Sequence, residues 1–151
     1  MILPPDNESP TTLSPTGARY VTDGAWTNAS KEAIIQRIKP YFTNFPTKES
    51  WYLWMAWGEV QKLPDMAYSL QGHSYLSPNP VWYDPVDDEK CAKWAAESIN
   101  AVRDISNGGQ MNDDNMAVNK LPYLSEYASA KLNVIQSKYD PNKRFAGFLA
   151  S

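Results

Sequence analysis

Histidine and cysteine are almost absent from this chain of 151 residues, which contains one of each, His73 and Cys91. A single cysteine cannot form an intramolecular disulfide, and one cysteine with one histidine cannot build a multi-cysteine or two-histidine zinc site. The acidic residues from Asp84 to Glu89 fit a helix start, where carboxylates stabilise the positive end of the helix dipole, better than a cation site. We therefore expect no disulfide and no metal.

Basic charge and long apolar runs are also lacking. The 14 lysines and arginines are outnumbered by 17 acidic residues, and the net charge of −3 excludes the basic surface typical of nucleic-acid-binding proteins. The sequence contains no membrane-spanning apolar run, and its first residues lack the basic and apolar segments of a signal peptide. We expect a cytoplasmic protein that binds neither nucleic acid nor membranes.

Aromatic residues, by contrast, are abundant: six Trp, nine Tyr and four Phe make up 13% of the sequence. A chain of this length fits one domain. Residues 1–17 hold four of the twelve prolines and show little apolar periodicity, so we expect a flexible arm there and a single domain over 18–151. Either the core of that domain is rich in rings, or rings line a ligand pocket.

The spacing of apolar residues predicts strands and helices in the order β-α-β-β-α-α. The predicted elements are a strand over 18–26, a helix from 30 to 40–44, a strand over 51–57, a strand pair over 66–71 and 73–83, a helix from 84 to 107–109, and a helix from 121–122 to 140. This order predicts an α+β fold, with helices on one face of a largely antiparallel sheet in a ferredoxin-like arrangement. Because strand 51–57 is apolar on both sides, the second face needs a partner or ligand.

Four stretches of the C-terminal half carry a resemblance to a known family. They are Val81–Pro85 with Asp87-Asp88 leading into a helix that bears Trp94, Gly108–Asn112, Leu121–Tyr123 with Tyr127, and Lys138–Phe145. The last stretch, a KYDPxxxF pattern after a helix, is the most specific. In these stretches the chain resembles the C-terminal half, the substrate domain and following segment, of the berberine-bridge-enzyme-like FAD-linked oxidases.

The resemblance implies a cofactor that this sequence is not expected to hold. Family members bind FAD mainly through an N-terminal domain with a His and often a Cys bonded to the flavin, and nothing in these residues corresponds to that domain. Gly108-Gly109 follows a predicted helix and is explained as its C-cap rather than as a phosphate-binding loop. We therefore predict a colourless protein without a cofactor.

The candidate site combines rings with a few polar groups. Alternation along the strands predicts a hydrophobic cavity bordered by Tyr52, Trp54, His73, Tyr75 and Tyr83. His73 and Tyr75 are the candidate catalytic residues, because either side chain can donate a hydrogen bond to a substrate oxygen. The candidate substrate-binding residues are Tyr52, Trp54, Tyr83, Asn79 and Gln71.

Three functions remain open from the sequence. The leading hypothesis is a flavin-independent enzyme of secondary metabolism that uses an aromatic pocket for a non-redox cyclisation, isomerisation or Diels-Alder type cycloaddition, accelerated by shape and one hydrogen bond. The second is one half of a split FAD-dependent oxidoreductase that needs a separate FAD domain. The third is a non-catalytic binding or oligomerisation module. The expected partners are a hydrophobic small molecule and a second copy of the chain in a homodimer.

Overall fold

The computed structural model describes residues 17–58, 66–67, 70–111 and 118–145, so nearly all of the predicted N-terminal arm lies outside the described residues. The elements are β1 (Arg19–Tyr20), β2 (Ala25–Thr27), α1 (Lys31–Thr43), β3 (Trp51–Ala56), β4 (Ser74–Asn79), β5 (Val81–Trp82), α2 (Asp88–Val102), β6 (Ser106–Gly108) and α3 (Glu126–Tyr139). The helices separate groups of one to three strands along the chain.

The strands form two antiparallel sheets. The larger sheet has four strands in the order β3-β4-β2-β6, and the smaller sheet pairs β1 with β5. Strand β4 is paired along both of its edges, and its residues are buried along most of its length. The predicted α+β fold with a largely antiparallel sheet is confirmed.

Helices α1 and α2 pack against each other and cover one face of the larger sheet, which we call the helical face. The core joins strand side chains to the apolar stripes of the two helices. Its members include Ala25, Tyr52 and Leu76 from the strands, Ile34 and Ile38 from α1, and Trp94, Ala95, Ile99 and Val102 from α2. Spacings of three and four residues bring each helical set onto one side of its helix.

Two arginines tie the helices to their neighbours through paired hydrogen bonds. Both Nε and Nη2 of Arg19, in β1, donate to the carboxylate of Asp88, which also accepts from the indole of Trp82 in β5. Arg37 of α1 donates in the same forked manner to Asp104, just beyond α2. The hydrogen bonds from the arginines lower the pKa values of the Asp88 and Asp104 carboxyls. The forked geometry fixes direction as well as distance.

Several element boundaries differ from the sequence prediction. The predicted strand over 18–26 is split into β1 and β2, with Asp23-Gly24 between them. Asp84 caps a single 3-10 turn, and α2 begins only at Asp88 and ends at Val102 rather than at Gly108-Gly109. The last helix begins after its cap Ser125, whose hydroxyl accepts from Ala128, and not near Leu121.

The sequence prediction contains no strand at the position of β6. Of the two glycines predicted to cap the preceding helix, Gly108 belongs to β6 and Gly109 follows it. Gly108 pairs with Trp26 of β2 at the edge of the sheet. A Cβ atom added there would lie 2.5 Å from the carbonyl oxygen of Pro122 and under 3 Å from the Leu70 side chain. Glycine is therefore needed at this position for close packing of the backbone. Within the described residues, 66–67 and 70–71 form no strand, in contrast to the prediction.

Candidate functional site

The register between β3 and β4 assigns each side chain to a face. Tyr52 pairs with Pro78 and Trp54 with Leu76, so these residues share the helical face. Met55 pairs with Tyr75 and Leu53 with Ser77, which places those four on the opposite face, called here the second face. The predicted alternation within β3 is confirmed. The prediction grouped Tyr75 with Tyr52 and Trp54, whereas the register places Tyr75 on the opposite face of the sheet.

Tyr52 and Trp54 belong to the packing under the helices. The hydroxyl of Tyr52 accepts a hydrogen bond of 3.2 Å from Ser98 of α2, and its ring meets Trp94 edge-on. Burial raises the pKa of Tyr52 to about 12. The indole nitrogen of Trp54 donates to the hydroxyl of Ser74 on the neighbouring strand. Both side chains stabilise the layer between sheet and helices.

Tyr75 lies on the second face and is only 2% exposed. Its ring contacts that of Trp26, with 4.8 Å between the ring centroids. Its hydroxyl end lies over Gly24, because a Cβ atom built there would be 2.1 Å from the Tyr75 hydroxyl oxygen. The buried amide of Asn119 donates to the carbonyl oxygen of Gly24. Access of a substrate to Tyr75 would require movement of this segment.

His73 and Gln71 lie in the segment that leads into β4. The backbone of His73 is held on both sides, since its N–H donates to the side-chain oxygen of Asn28 and its carbonyl accepts from Trp57. The imidazole is half-buried. Gln71 is also half-buried, and its carbonyl accepts from the side-chain amide of Asn107 in β6.

Tyr83 follows β5, in the two-stranded sheet, and its side chain is 48% exposed. The five residues predicted to border one cavity are therefore spread over the helical face, the second face and another sheet. This placement corrects the predicted cavity, because antiparallel pairing puts Tyr75 opposite Met55 and not beside Tyr52 or Trp54. The catalytic and binding roles assigned to these residues stay predictions.

The structure instead leaves part of the second face open along β3. We call this region the open strip and define it by Trp51, Leu53 and Met55, which are exposed or half-buried. Asn79 of β4 pairs with Trp51, and its amide nitrogen donates to the backbone and hydroxyl oxygens of Ser77. Its side-chain oxygen accepts no hydrogen bond from the described part of the chain. The open strip is thus an apolar surface with one available polar acceptor.

Sequence reasoning identified the alternation that forms the open strip but did not select its residues as a site. The pattern of β3 is apolar on both faces, and nothing in that pattern tells which face the helices cover. Asn79 was selected, and it is the one predicted binding residue that borders the open strip. The missing signal is the pairing of β3 with β4, which is a tertiary property.

A separate, concave region lies against α3. A groove of about 190 Å³ is lined by Met66, Ala67, Ala128, Lys131, Leu132 and Ile135. Its volume is below the range of about 300–1,000 Å³ that is typical of ligand pockets. Of α3, only Ala128 is buried, and Val134 and Tyr139 are largely exposed. The groove is a shallow feature at the periphery of the fold.

The described residues do not fit the pyrophosphate of FAD. Phosphates bind at helix starts with free backbone N–H groups. The starts of α1 and α3 are occupied by their own caps, Ser30 and Ser125, and three acidic residues, Asp87, Asp88 and Glu89, surround the start of α2. Gly108 packs against backbone and leaves no phosphate cradle. We derive no chemical step through a flavin.

The described ranges also bear on metal binding and on membrane insertion. No group of three or more His, Cys, Asp or Glu side chains converges there in a way that could hold a metal ion. No helix in those ranges combines the length and apolar character needed to cross a bilayer. Burial raises the pKa of the Cys91 thiol, which disfavours its reactive thiolate form.

The sequence is similar to several FAD-linked oxidoreductases. It is 27% identical over 151 residues to nodO of Hypoxylon pulicicidum, 26% identical over 144 residues to janO of Penicillium janthinellum and 29% identical over 134 residues to penO of Penicillium crustosum. These alignments cover 99%, 93% and 86% of the chain but 34%, 32% and 29% of the relatives. The chain thus spans about a third of the length of the curated relatives it matches.

A solved structure shares the fold. CrmK, a flavoenzyme involved in the shunt product recycling mechanism in caerulomycin biosynthesis, superposes with a TM-score of 0.62 at 17% identity, covering 94% of this chain and 33% of CrmK. No protein-family profile matches the chain. Together, the relatives and the shared fold confirm the resemblance to FAD-linked oxidases predicted from the sequence.

Proposed function

We propose that this chain forms a substrate-binding sheet of an FAD-linked oxidoreductase of secondary metabolism, whose flavin is held outside the described residues. The observation that carries the proposal is the similarity to nodO over 99% of the chain. The ligand we propose is a hydrophobic small molecule, because the open strip offers one aromatic side chain and two aliphatic side chains with one polar acceptor.

The open strip can bind one side of a flat ligand. Trp51 supplies a ring for stacking, Leu53 and Met55 supply adaptable apolar contact, and the Asn79 side-chain oxygen can accept a hydrogen bond from a ligand N–H or O–H. Ligand pockets, however, bury about 70–90% of a drug-sized ligand. A strip of this kind therefore needs a second wall, and the part of the oxidoreductase that holds the flavin is the wall we propose.

The proposal is tested by isolating the tagged chain from its source organism under native conditions. We expect it to be recovered with a stoichiometric flavin absorption band, because the substrate-binding sheet functions against a flavin-holding part. Leu53→Asp places a charge in the open strip and should abolish that band. Val86→Asp is the matched control, because Val86 is 79% exposed outside the sheet, and should retain it.

A second candidate function is the flavin-independent cyclisation, isomerisation or cycloaddition expected from the sequence. The specific observation in its favour is that the described helix starts and glycines do not fit a dinucleotide. Under this function the isolated protein is colourless and still converts its substrate, and Leu53→Asp lowers turnover without any flavin. A colourless, active protein would replace the first proposal by the second.

A further inference from the structure

Among the described residues, strand β3 is an edge strand without the usual protection. In the part of the chain that the structure describes, it pairs only with β4. Its residues Trp51–Ala56 include no charge and no proline, and its register with β4 has no bulge. Soluble proteins normally protect such an edge with lysine, proline, a bulge or a covering segment. β3 therefore has the features of a strand that pairs with another strand.

The direction of the backbone groups can be read from one hydrogen bond. The N–H of Trp57 donates to the carbonyl of His73 at 2.8 Å, so position 57 is bonded towards the segment that leads into β4. Bonded and non-bonded positions alternate along an antiparallel strand. The N–H and C=O groups of Tyr52, Trp54 and Ala56 therefore point towards the outer edge.

We propose that this edge pairs antiparallel with β3 of a second copy, in a two-fold symmetric dimer that joins the two larger sheets. A two-fold axis perpendicular to the sheet keeps each residue on its own face, so paired positions are both even or both odd. If the axis passes at Trp54, Tyr52 pairs with the partner's Ala56 in both directions and Trp54 with its equivalent. All outward groups of the strand are then used, in about six hydrogen bonds.

The same register matches the most exposed rings of the strand. It sets Trp51 opposite the partner's Trp57 on the second face, and these side chains are 42% and 65% exposed in one copy. Aromatic residues directly opposite each other on neighbouring strands stabilise a sheet. A register centred one position away, at Leu53, would leave Trp57 without this partner and would form fewer hydrogen bonds.

The exposed apolar area near β3 approaches what a dimer requires. On the helical face, Phe42 packs against Tyr52 and beside Phe45, yet Phe42 and Phe45 remain 45% and 41% exposed. Each aromatic side chain buries about 150–250 Å² when fully covered, so these rings with the two tryptophans supply roughly half of the ~800 Å² that each partner buries in a stable interface. The strand backbone and adjoining side chains contribute further area.

A second copy is the occupant that this pattern favours. The edge is complementary to itself in one register, it is uncharged from Trp51 to Gly58, and an isologous contact closes after two copies. A different polypeptide would require no such self-match. The dimer does not depend on the proposed function, and it would extend the open strip across both copies.

The test uses two double variants of the full chain that remove the same rings. In W51K/W57E each new lysine faces the partner's new glutamate, whereas in W51K/W57K it faces a lysine. Within one copy these positions are about 20 Å apart, at about 3.4 Å per residue, and cannot pair with each other. We expect wild type at twice 17.0 kDa by sedimentation, and W51K/W57E to self-associate about fourfold or more tightly than W51K/W57K. High salt should reduce this difference.

A covalent trap covers the case in which the charged variants do not fold. Leu53 faces the partner's Met55 in the proposed register, at a closely spaced non-hydrogen-bonded pair. L53C/M55C should therefore form a disulfide-linked dimer on oxidation, and neither single variant should. The proposal would be overturned by any of four outcomes: a monomeric wild type, open polymers, pairing only with a different polypeptide, or equal crosslinking by the single variants.

Discussion

Replacing Tyr52 by phenylalanine tests whether the sheet and α2 are joined by a buried polar contact. The Tyr52 hydroxyl accepts from Ser98, and Ser98 is fully buried. The variant keeps the ring but leaves the Ser98 hydroxyl without this acceptor. At neutral pH we expect a loss of about 1–3 kcal/mol in the free energy of unfolding, which is the cost of an unsatisfied buried polar group.

The same residue makes stability depend on alkaline pH. Burial raises the pKa of Tyr52 from 10.0 to about 12, so the folded state favours the neutral phenol. A group with a raised folded pKa contributes stability that is fully present below the unfolded value and is lost as pH rises through the folded value. This contribution to stability is therefore lost between about pH 10 and about pH 12. Two pKa units at 1.36 kcal/mol each correspond to roughly 3 kcal/mol.

These two effects oppose each other, and their balance gives the measurement. Urea unfolding of wild type and Tyr52→Phe, followed by circular dichroism, should show a deficit for the variant at neutral pH that closes or reverses as pH approaches 12. Adding Ser98→Ala to Tyr52→Phe should recover most of the neutral-pH loss, because no hydroxyl is then left unpaired. A gap that stays constant from neutral to alkaline pH would refute the burial argument.

Three further predictions concern the rest of the fold. A Cβ atom at Gly72 would lie 2.4 Å from the carbonyl oxygen of Thr27, so Gly72→Ala should lower the free energy of unfolding by about 1–3 kcal/mol or more; an unchanged urea midpoint would contradict this. Leu76→Ala, at a fully buried core position, should cost about 2–5 kcal/mol in thermal or urea unfolding, and a loss well below this range would show that the core is loosely packed. The contact with Arg19 lowers the pKa of Asp88 from its ordinary value of 3.8. The contact therefore contributes stability at pH values above 3.8, and this contribution is lost as the pH falls through the pKa of Asp88 in the folded state. Asp88→Asn should therefore weaken the acid-dependent loss of stability, and an identical acid profile for wild type and variant would argue against the contact.

Local signals predicted the two helices of the core. Ser30 caps α1 through the N–H of Ala33, and the acidic start and apolar stripe of α2 follow from sequence spacing. Strand β6 was missed because Ser106, Asn107 and Gly108 have low strand propensity. Only pairing with β2 makes this segment a strand, and such pairing cannot be deduced from residues so far away in the sequence.

The predicted cavity differs from the observed placement of its residues for a related reason. Parity along one strand is visible in the sequence, and the alternation of β3 was predicted correctly. Parity between strands depends on register, which the segment between 57 and 73 does not reveal. A change of one residue moves Tyr75 from the face of Tyr52 to that of Met55, so the choice of cavity residues needed the structure.

The position of β2 in the middle of the larger sheet also affects how the chain acquires its structure during synthesis. β2 is made well before its partners β4 and β6, and the hydroxyl of Thr27 bonds to Ile105 across 78 residues of sequence. At about 5–20 residues per second, a ribosome takes roughly 4–16 seconds to make that interval. During this time the apolar residues of β2 have no sheet to join, and closing such distant contacts is slow. We therefore expect the chain to be most prone to aggregation in the interval before its last strand is made.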